Sequence, residues 1–318
     1  MEVHFWGTRG SLPASVNKKR IREKLKAALE IALEKEFGPA NDIEAFIDNE
    51  LPFWVKGTYG ANTPCVEIRA GDDFVLCDAG SGFRDFGHHL LRTYGKEAPK
   101  DFHILISHPH WDHIQGFPFF TPIYIPGNHI TIYGCHETVR DAFSTQQSQP
   151  FFPINFSDLA ADIDFVSLDP EKTYEIEGFK VTAKEQSHPG KSYGYRIERD
   201  DKVVVYSTDA EHKSERDKDT VSFLEFFNKA DLLIFDAQYT FADASTIKED
   251  WGHSNNLIGV ELALNASVKH LCLYHLEPVS SDQDLDKFLL DTRKLADLLG
   301  EDLPLHVSIA WDGMEIEI

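Results

Sequence analysis

Five apolar runs, well separated along the chain, each lead into a histidine or an aspartate. Ile104-Leu105-Ile106 enters Ser107-His108-Pro109-His110-Trp111-Asp112-His113, and a strand through Ala183 delivers Ser187-His188. Val203-Val204-Val205-Tyr206 delivers Ser207-Thr208-Asp209, Leu232-Leu233-Ile234-Phe235 delivers Asp236, and Leu271-Cys272-Leu273-Tyr274 delivers His275. Short runs of this composition read as strands. A sheet can bring strand ends that are distant in sequence to one edge, so the expectation is a fold in which these imidazoles and carboxylates converge there.

His108, His110, Asp112, His113, His188, Asp209 and His275 form the candidate ligand set. Imidazole with carboxylate suits Zn, Mn or Fe, and the set is too large for one tetrahedral ion. Two adjacent divalent ions with open water positions fit it better. Asp209 is the expected bridge, because a carboxylate can give one oxygen to each ion.

Charge narrows the substrate. With 31 Lys and Arg against 53 Asp and Glu, the net charge of −22 repels polyanions, so long nucleic acids are not expected partners. A small phosphate ester remains open, since bound divalent metal inverts the local potential. Cys65, Cys77, Cys135 and Cys272 show neither zinc-knuckle nor disulfide spacing, which fits a reducing compartment. No stretch reads as a signal peptide or a membrane span, and the expectation is a soluble, cytoplasmic protein with no membrane partner.

In chain order, Val3-His4-Phe5-Trp6 reads as a strand entering the glycine-bearing loop Gly7-Thr8-Arg9-Gly10-Ser11. Residues 17–51 change texture: Ile21, Leu25, Ala28, Leu29, Ala32 and Leu33 recur at helical spacing, Gly38-Pro39 breaks the run, and Asn41 can cap a second short helix. This is a helical insertion whose apolar stripe packs on the core, or serves as a lid or a homodimer contact. Pro64 to Ala70 and Phe74 to Asp78 read as a hairpin ending at Asp78-Ala79-Gly80, where the carboxylate can orient a neighbour. Helices are expected over about 83–94, 255–266 and 282–299, a loop over 143–156, and a closing hairpin turned at Asp312-Gly313. With no linker or repeat, residues 1–318 read as one domain.

The loop His108-Pro109-His110-Trp111-Asp112-His113, followed in order by His188, Asp209 and His275, resembles the metallo-β-lactamase fold superfamily. Phe5-Trp6-Gly7-Thr8-Arg9-Gly10-Ser11, Tyr59-Gly60-Ala61-Asn62-Thr63, Gly116-Phe117-Pro118 and Trp251-Gly252-His253-Ser254 resemble its phosphodiesterase branch, which includes cyclic-nucleotide and phosphoribosyl cyclic phosphodiesterases and, more distantly, the tRNA 3′-processing endonuclease. The resemblance implies an α/β fold, an αββα sandwich with a dinuclear site at one edge. One metal would be held by His108, His110 and His188, the other by Asp112, His113 and His275, with Asp209 shared and Asp78 fixing a ligand imidazole. His253-Ser254 and Asp236 stand where the endonuclease has a proton-donating dyad, although with Asp where it has Glu.

The implied enzyme is a metal-dependent phosphoric diester hydrolase acting on a small, cyclic substrate, in which a hydroxide between two metal ions, Zn foremost, attacks phosphorus. Asp112 would orient the water and His253, steered by Asp236, would protonate the leaving alkoxide. A thioester or lactam hydrolase on the same scaffold is the alternative enzyme, and a non-catalytic cyclic-nucleotide or metal sensor the alternative of another kind. Redox diiron relatives usually carry Glu where this chain has His110. His4, His103, His129, His136, His212, His270 and His306 lack such a constellation and read as structural or surface residues.

Overall fold

A computed structural model describes residues 1–38, 41–212, 218–239, 252–300 and 304–318. The first sheet is built from β1 (Glu2–Gly7), β2 (Cys65–Ala70), β3 (Asp73–Cys77), β4 (Asp101–Ile106), β5 (His129–Gly134) and β6 (Asp162–Ser167). The second runs through β7 (Thr173–Ile176), β8 (Phe179–Gln186), β9 (Ser192–Arg199), β10 (Lys202–Ser207), β11 (Leu232–Asp236), β12 (His270–Tyr274) and β13 (His306–Ile309). The final strand, β14 (Glu315–Glu317), returns to the first sheet beside β1. Orders are β14-β1-β2-β3-β4-β5-β6 and β13-β12-β11-β10-β9-β8-β7.

Alternation within the strands makes the sandwich. Val3 and Phe5 of β1, Val66 and Ile68 of β2 and Val75 of β3 meet Val181, Ile197, Val204, Ile234 and Cys272 of the other sheet in one buried layer. Runs that are apolar on both faces, such as β11 with all five residues buried, must be covered outside as well. On the second sheet that cover is α7 (Lys218–Phe227), α8 (Asn256–Asn265) and α9 (Asp282–Gly300), which bring Phe223, Phe227, Ile258, Leu262, Leu285 and Ala296. On the first it is α4 (Gly82–Tyr94), with Phe83, Phe86 and Leu90, together with Phe117 and Phe120. The result is the αββα sandwich.

Three expectations change. The insertion forms α1 (Lys18–Glu34) and α2 (Ile43–Glu50), with a short third helix α3 (Phe53–Lys56), but Asp42 caps α2 through the N–H groups of Glu44 and Ala45, while Asn41 turns back to Gly38. Pro39 lies outside the described residues. The stripe of α1 does not pack on the core: Ile21, Leu25, Leu29 and Leu33 are 48, 61, 66 and 80% exposed. The loop expected over 143–156 begins as a helix, α6 (Val139–Gln146), because Val139 and Phe143 share a buried face one turn apart. The turn at Asp312-Gly313 does not close a hairpin, since β13 pairs with β12 and β14 with β1. It carries the chain across the sandwich and is held there by Gly313 N donating to Phe5 O at 2.7 Å.

Candidate metal centre

The four runs that carry candidate ligands end at the same edge, together with β11, which carries Asp236. The chain leaves β4 at Ile106, extends through His108 and His110, and closes the one-turn helix α5 (Trp111–Ile114), which turns Asp112 and His113 inward. His188 follows β8, Asp209 follows β10, and His275 follows β12. Asp78, Asp209 and His275 have φ of 62, 51 and 57° respectively, in the left-handed region that non-glycine residues avoid. Such backbone persists only where surroundings over-determine it. For Asp78 they are the Ser107 N–H and Oγ–H, each donating at 2.8 Å, and Tyr206 OH at 2.7 Å. For Asp209 they are Ser192 Oγ donating to its carbonyl at 2.5 Å and Thr208 Oγ1 donating to its carboxylate at 2.7 Å.

Two ligand groups result. The donor atoms of His108, His110 and His188 lie within 4.8 Å of one another, as do those of Asp112, His113 and His275. Asp209 stands between them with one oxygen for each: Oδ2 is 3.7 Å from Nε2 of both His108 and His188, and Oδ1 is 3.2 Å from Nε2 of both His113 and His275. Asp112 Oδ2 is 3.3 Å from His113 Nε2 and 3.2 Å from His275 Nε2.

For three of the imidazoles, His108, His113 and His188, the protein fixes which nitrogen is presented. His113 Nδ1–H donates to Asp78 Oδ2 at 2.7 Å and His188 Nδ1–H to Gly252 O at 2.9 Å, acceptors that cannot donate back. Ser107 Oγ gives its own proton to Asp78 and so accepts from His108 Nδ1 at 3.1 Å. Each Nε2 is left as a lone pair facing the cluster, the arrangement in which an outer partner orients a metal-bound imidazole. Nε2 of His108 and of His113 are buried without a hydrogen bond. Buried polar atoms are rarely left so, and a cation is the partner that lone pairs beside two carboxylates would take.

Electrostatics agree. Burial, and then the neighbouring His113, hold His108 well below the usual imidazole range, and burial lowers His110 and His188 as well, so these imidazoles are kept neutral, the form that can ligate a metal. Burial alone would also discharge His113, but Asp209, Asp112 and Asp78 outweigh it and push its pKa well above normal. Burial opposes ionisation of Asp209, yet His275, His113 and His108 keep it well below the usual carboxylate range. Without a cation, His113 is thus the group that a proton would charge to offset the carboxylates beside it, a place that a metal ion can take instead. The donor set fits divalent cations.

His253 and Asp236 meet beside this cluster. His253 Nδ1 is 2.7 Å from Asp236 Oδ2, so the shorter acid reaches, helped by Gln238 N at 3.1 Å and Ala210 N at 3.2 Å, which orient the carboxylate. The imidazole stacks on His275 at 5.1 Å and lies 5.3 Å from His188. Burial would discharge it, but Asp236 foremost, then Asp209 and Asp112, raise it to about 9. Trp251, beside it in sequence, lies outside the described residues.

Other contacts were not visible from residue types. Ser11 N donates to Asp112 Oδ2 at 2.8 Å, and Tyr206 OH and Ser107 hold Asp78. Only the glycine-bearing sequence of the first loop hinted at a close approach. The remaining histidines sit elsewhere in structural pairings, among them His103 with Tyr133 and Glu177 and His270 with Ser308.

The model for the beta-lactamase superfamily domain matches residues 74–276. Ribonuclease Z of Oceanobacillus iheyensis is 23% identical over 258 residues, 65% of this chain and 81% of the relative. Among solved structures, human tRNase Z, short form, superposes with a TM-score of 0.60 at 20% identity, covering 100% of this chain and 99% of that one. Unliganded yeast PDE1 gives 0.64 at 14% identity, again over 100% and 99%. At these identities the two structures show likeness of fold.

Proposed function

We propose that this chain, which belongs to the beta-lactamase superfamily, hydrolyses a small phosphodiester, cyclic in the favoured case, with two divalent cations. The observation that carries the reading is the 2.7 Å contact of His253 with Asp236 beside the ligand cluster. A phosphodiester that expels a sugar alkoxide needs a proton at the leaving oxygen, and a charged imidazole next to the reacting centre is suited to give it. Thioester and lactam hydrolysis have less need of a donor there.

His108, His110 and His188 would hold one cation and Asp112, His113 and His275 the other, with Asp209 between them. Such cations supply Lewis acidity toward phosphoryl oxygens and acidify bound water. The chain's own groups do the rest. Ser11 N and the two imidazoles that face Asp112 fix its carboxylate, which can orient the attacking water and take its proton. His253 holds its transferable proton on Nε2, because Nδ1 is committed to Asp236. The imidazole-rich set favours zinc, with manganese and iron as alternatives. Four free cysteines fit a reducing, cytoplasmic setting.

His253→Ala should lose about 10²- to 10⁴-fold in hydrolysis of a cyclic nucleotide, whose alkoxide needs the acid, yet keep most activity on bis-nitrophenyl phosphate, whose nitrophenolate does not. Elemental analysis alongside should find close to two ions per chain in both proteins. Equal losses on both substrates with metal content unchanged would remove His253 as the acid, and lactam or thioester turnover above that of any diester would overturn the substrate class.

A further inference from the structure

Helix α1 stands on the body of the protein by one face and leaves another bare. Arg20, Lys24, Ala27, Ala28 and Ile31 are half-buried. Lys24 Nζ reaches Gly57 O at 2.7 Å and Asp282 Oδ2 at 2.7 Å, and Arg20 donates to Val279 O at 2.9 Å. Ile21, Leu25, Leu29 and Leu33 follow one another at four-residue steps on the other side, 48 to 80% exposed, and no residue of the helix is fully buried. A continuous four-step ridge is the surface that interdigitates with a second helix. Soluble proteins seldom leave such a ridge in water without use for it.

Charge selects the occupant. Residues 18–26 carry Lys18, Lys19, Arg20, Arg22, Lys24 and Lys26 against Glu23 alone, whereas 27–36 carry Glu30, Glu34 and Glu36 against Lys35. In a chain of net charge −22 this basic half is exceptional, and it asks for an acidic partner of matching length. A second α1 laid antiparallel is such a partner. With Leu25 opposite the second copy's Leu29, Ile21 falls opposite Leu33, and Lys26, which pairs with Glu30 of its own helix at 3.4 Å, also lies beside the second copy's Glu30 across the seam. A parallel pair would set basic half on basic half. The two-fold axis that relates antiparallel copies also closes the assembly, since each uses the same patch.

We infer that α1 is a self-association surface, through which two copies of this chain pair with their first helices antiparallel. Light scattering on the size-fractionated, metal-loaded full chain should give twice the 36.1 kDa monomer mass. Leu25→Asp together with Leu29→Asp should give a folded monomer with the melting temperature and diesterase activity of the parent. Lys26→Glu, on an exposed side chain that folding does not need, should weaken the dimer about tenfold through two symmetry-related contacts, and Lys26→Glu with Glu30→Lys should restore it. The inference is overturned by a wild-type monomer at about 100 µM, far above ordinary dimer constants. A dimer unchanged in the leucine variant overturns it too, and should that variant fail to fold, a dimer indifferent to Lys26→Glu does the same.

Discussion

Gly10 shapes the centre without touching a cation. A Cβ placed there would lie 2.5 Å from Nδ1 and 2.6 Å from Cε1 of His275, closer than non-bonded atoms approach. The imidazole is pressed flat against the first loop, and Nε2 is thereby aimed at Asp112 and Asp209, each at 3.2 Å. Gly10→Ala should therefore tilt His275 and lower affinity for the cation on its side about 10- to 100-fold, the range found when ligand-orienting partners are removed. Competition against a chromophoric chelator measures it, with the melting temperature of the chelated protein as control. Unaltered affinity would show that the ring has room to slide. At this scale the convergence of the donor residues was legible, because imidazoles and carboxylates at strand ends stand out by type. Their supports were not: Tyr206, Ser107 and Ser11 act through a hydroxyl or a backbone N–H that any strand or loop may carry.

Strands were the elements read best, since β-branched runs bounded by turns keep their identity wherever they pair. The β2–β3 hairpin stands as expected. Failures came where pairing is not local. From sequence, two short strands around Asp312-Gly313 look like a hairpin, but their partners are β12 and β1, a choice made by the two sheets and not by the turn. That turn then becomes a clamp: Asp312 accepts from Ala61 N at 2.8 Å, Asn62 N at 2.9 Å and Thr8 Oγ1 at 3.1 Å, tying the first loop to the chain's end. Asp312→Ala should cost about 1–3 kcal/mol by chemical denaturation, because two partly buried N–H groups lose their acceptor. Burial raises the carboxyl from its ordinary 3.8 to about 6, although those donors and Arg9 oppose it. A raised pKa means that the folded state holds the proton more tightly than the unfolded one. Its contribution to stability is full below about pH 3.8 and is lost as pH rises through about 6. Asp312→Asn should flatten the stability profile across that window, and a profile parallel to the parent's would refute the assignment.

For the molecule as a whole, the question is how a body of net charge −22 meets a phosphodiester. Relatives named ribonuclease Z share much of the chain, so RNA is the natural competitor to a small substrate. Proteins that grip RNA through its phosphates do so with many Lys and Arg, and their affinity falls about 10³- to 10⁵-fold between 50 and 200 mM salt as counterions are released. Here the excess charge has the other sign. Divalent cations bound by the cluster can attract one phosphate within its immediate reach, but beyond a Debye length of about 8 Å at physiological salt the surrounding charge is what a long polyanion meets. Small cyclic diesters should therefore be cleaved far faster than a structured precursor tRNA at the same concentration. The salt response separates the two cases by sign. If repulsion governs, kcat/KM on the precursor should hold or rise with added salt, whereas a gripped RNA would show the steep fall. Efficient cleavage of the precursor near physiological salt, with that fall, would overturn the small-substrate reading while leaving the metal centre as described.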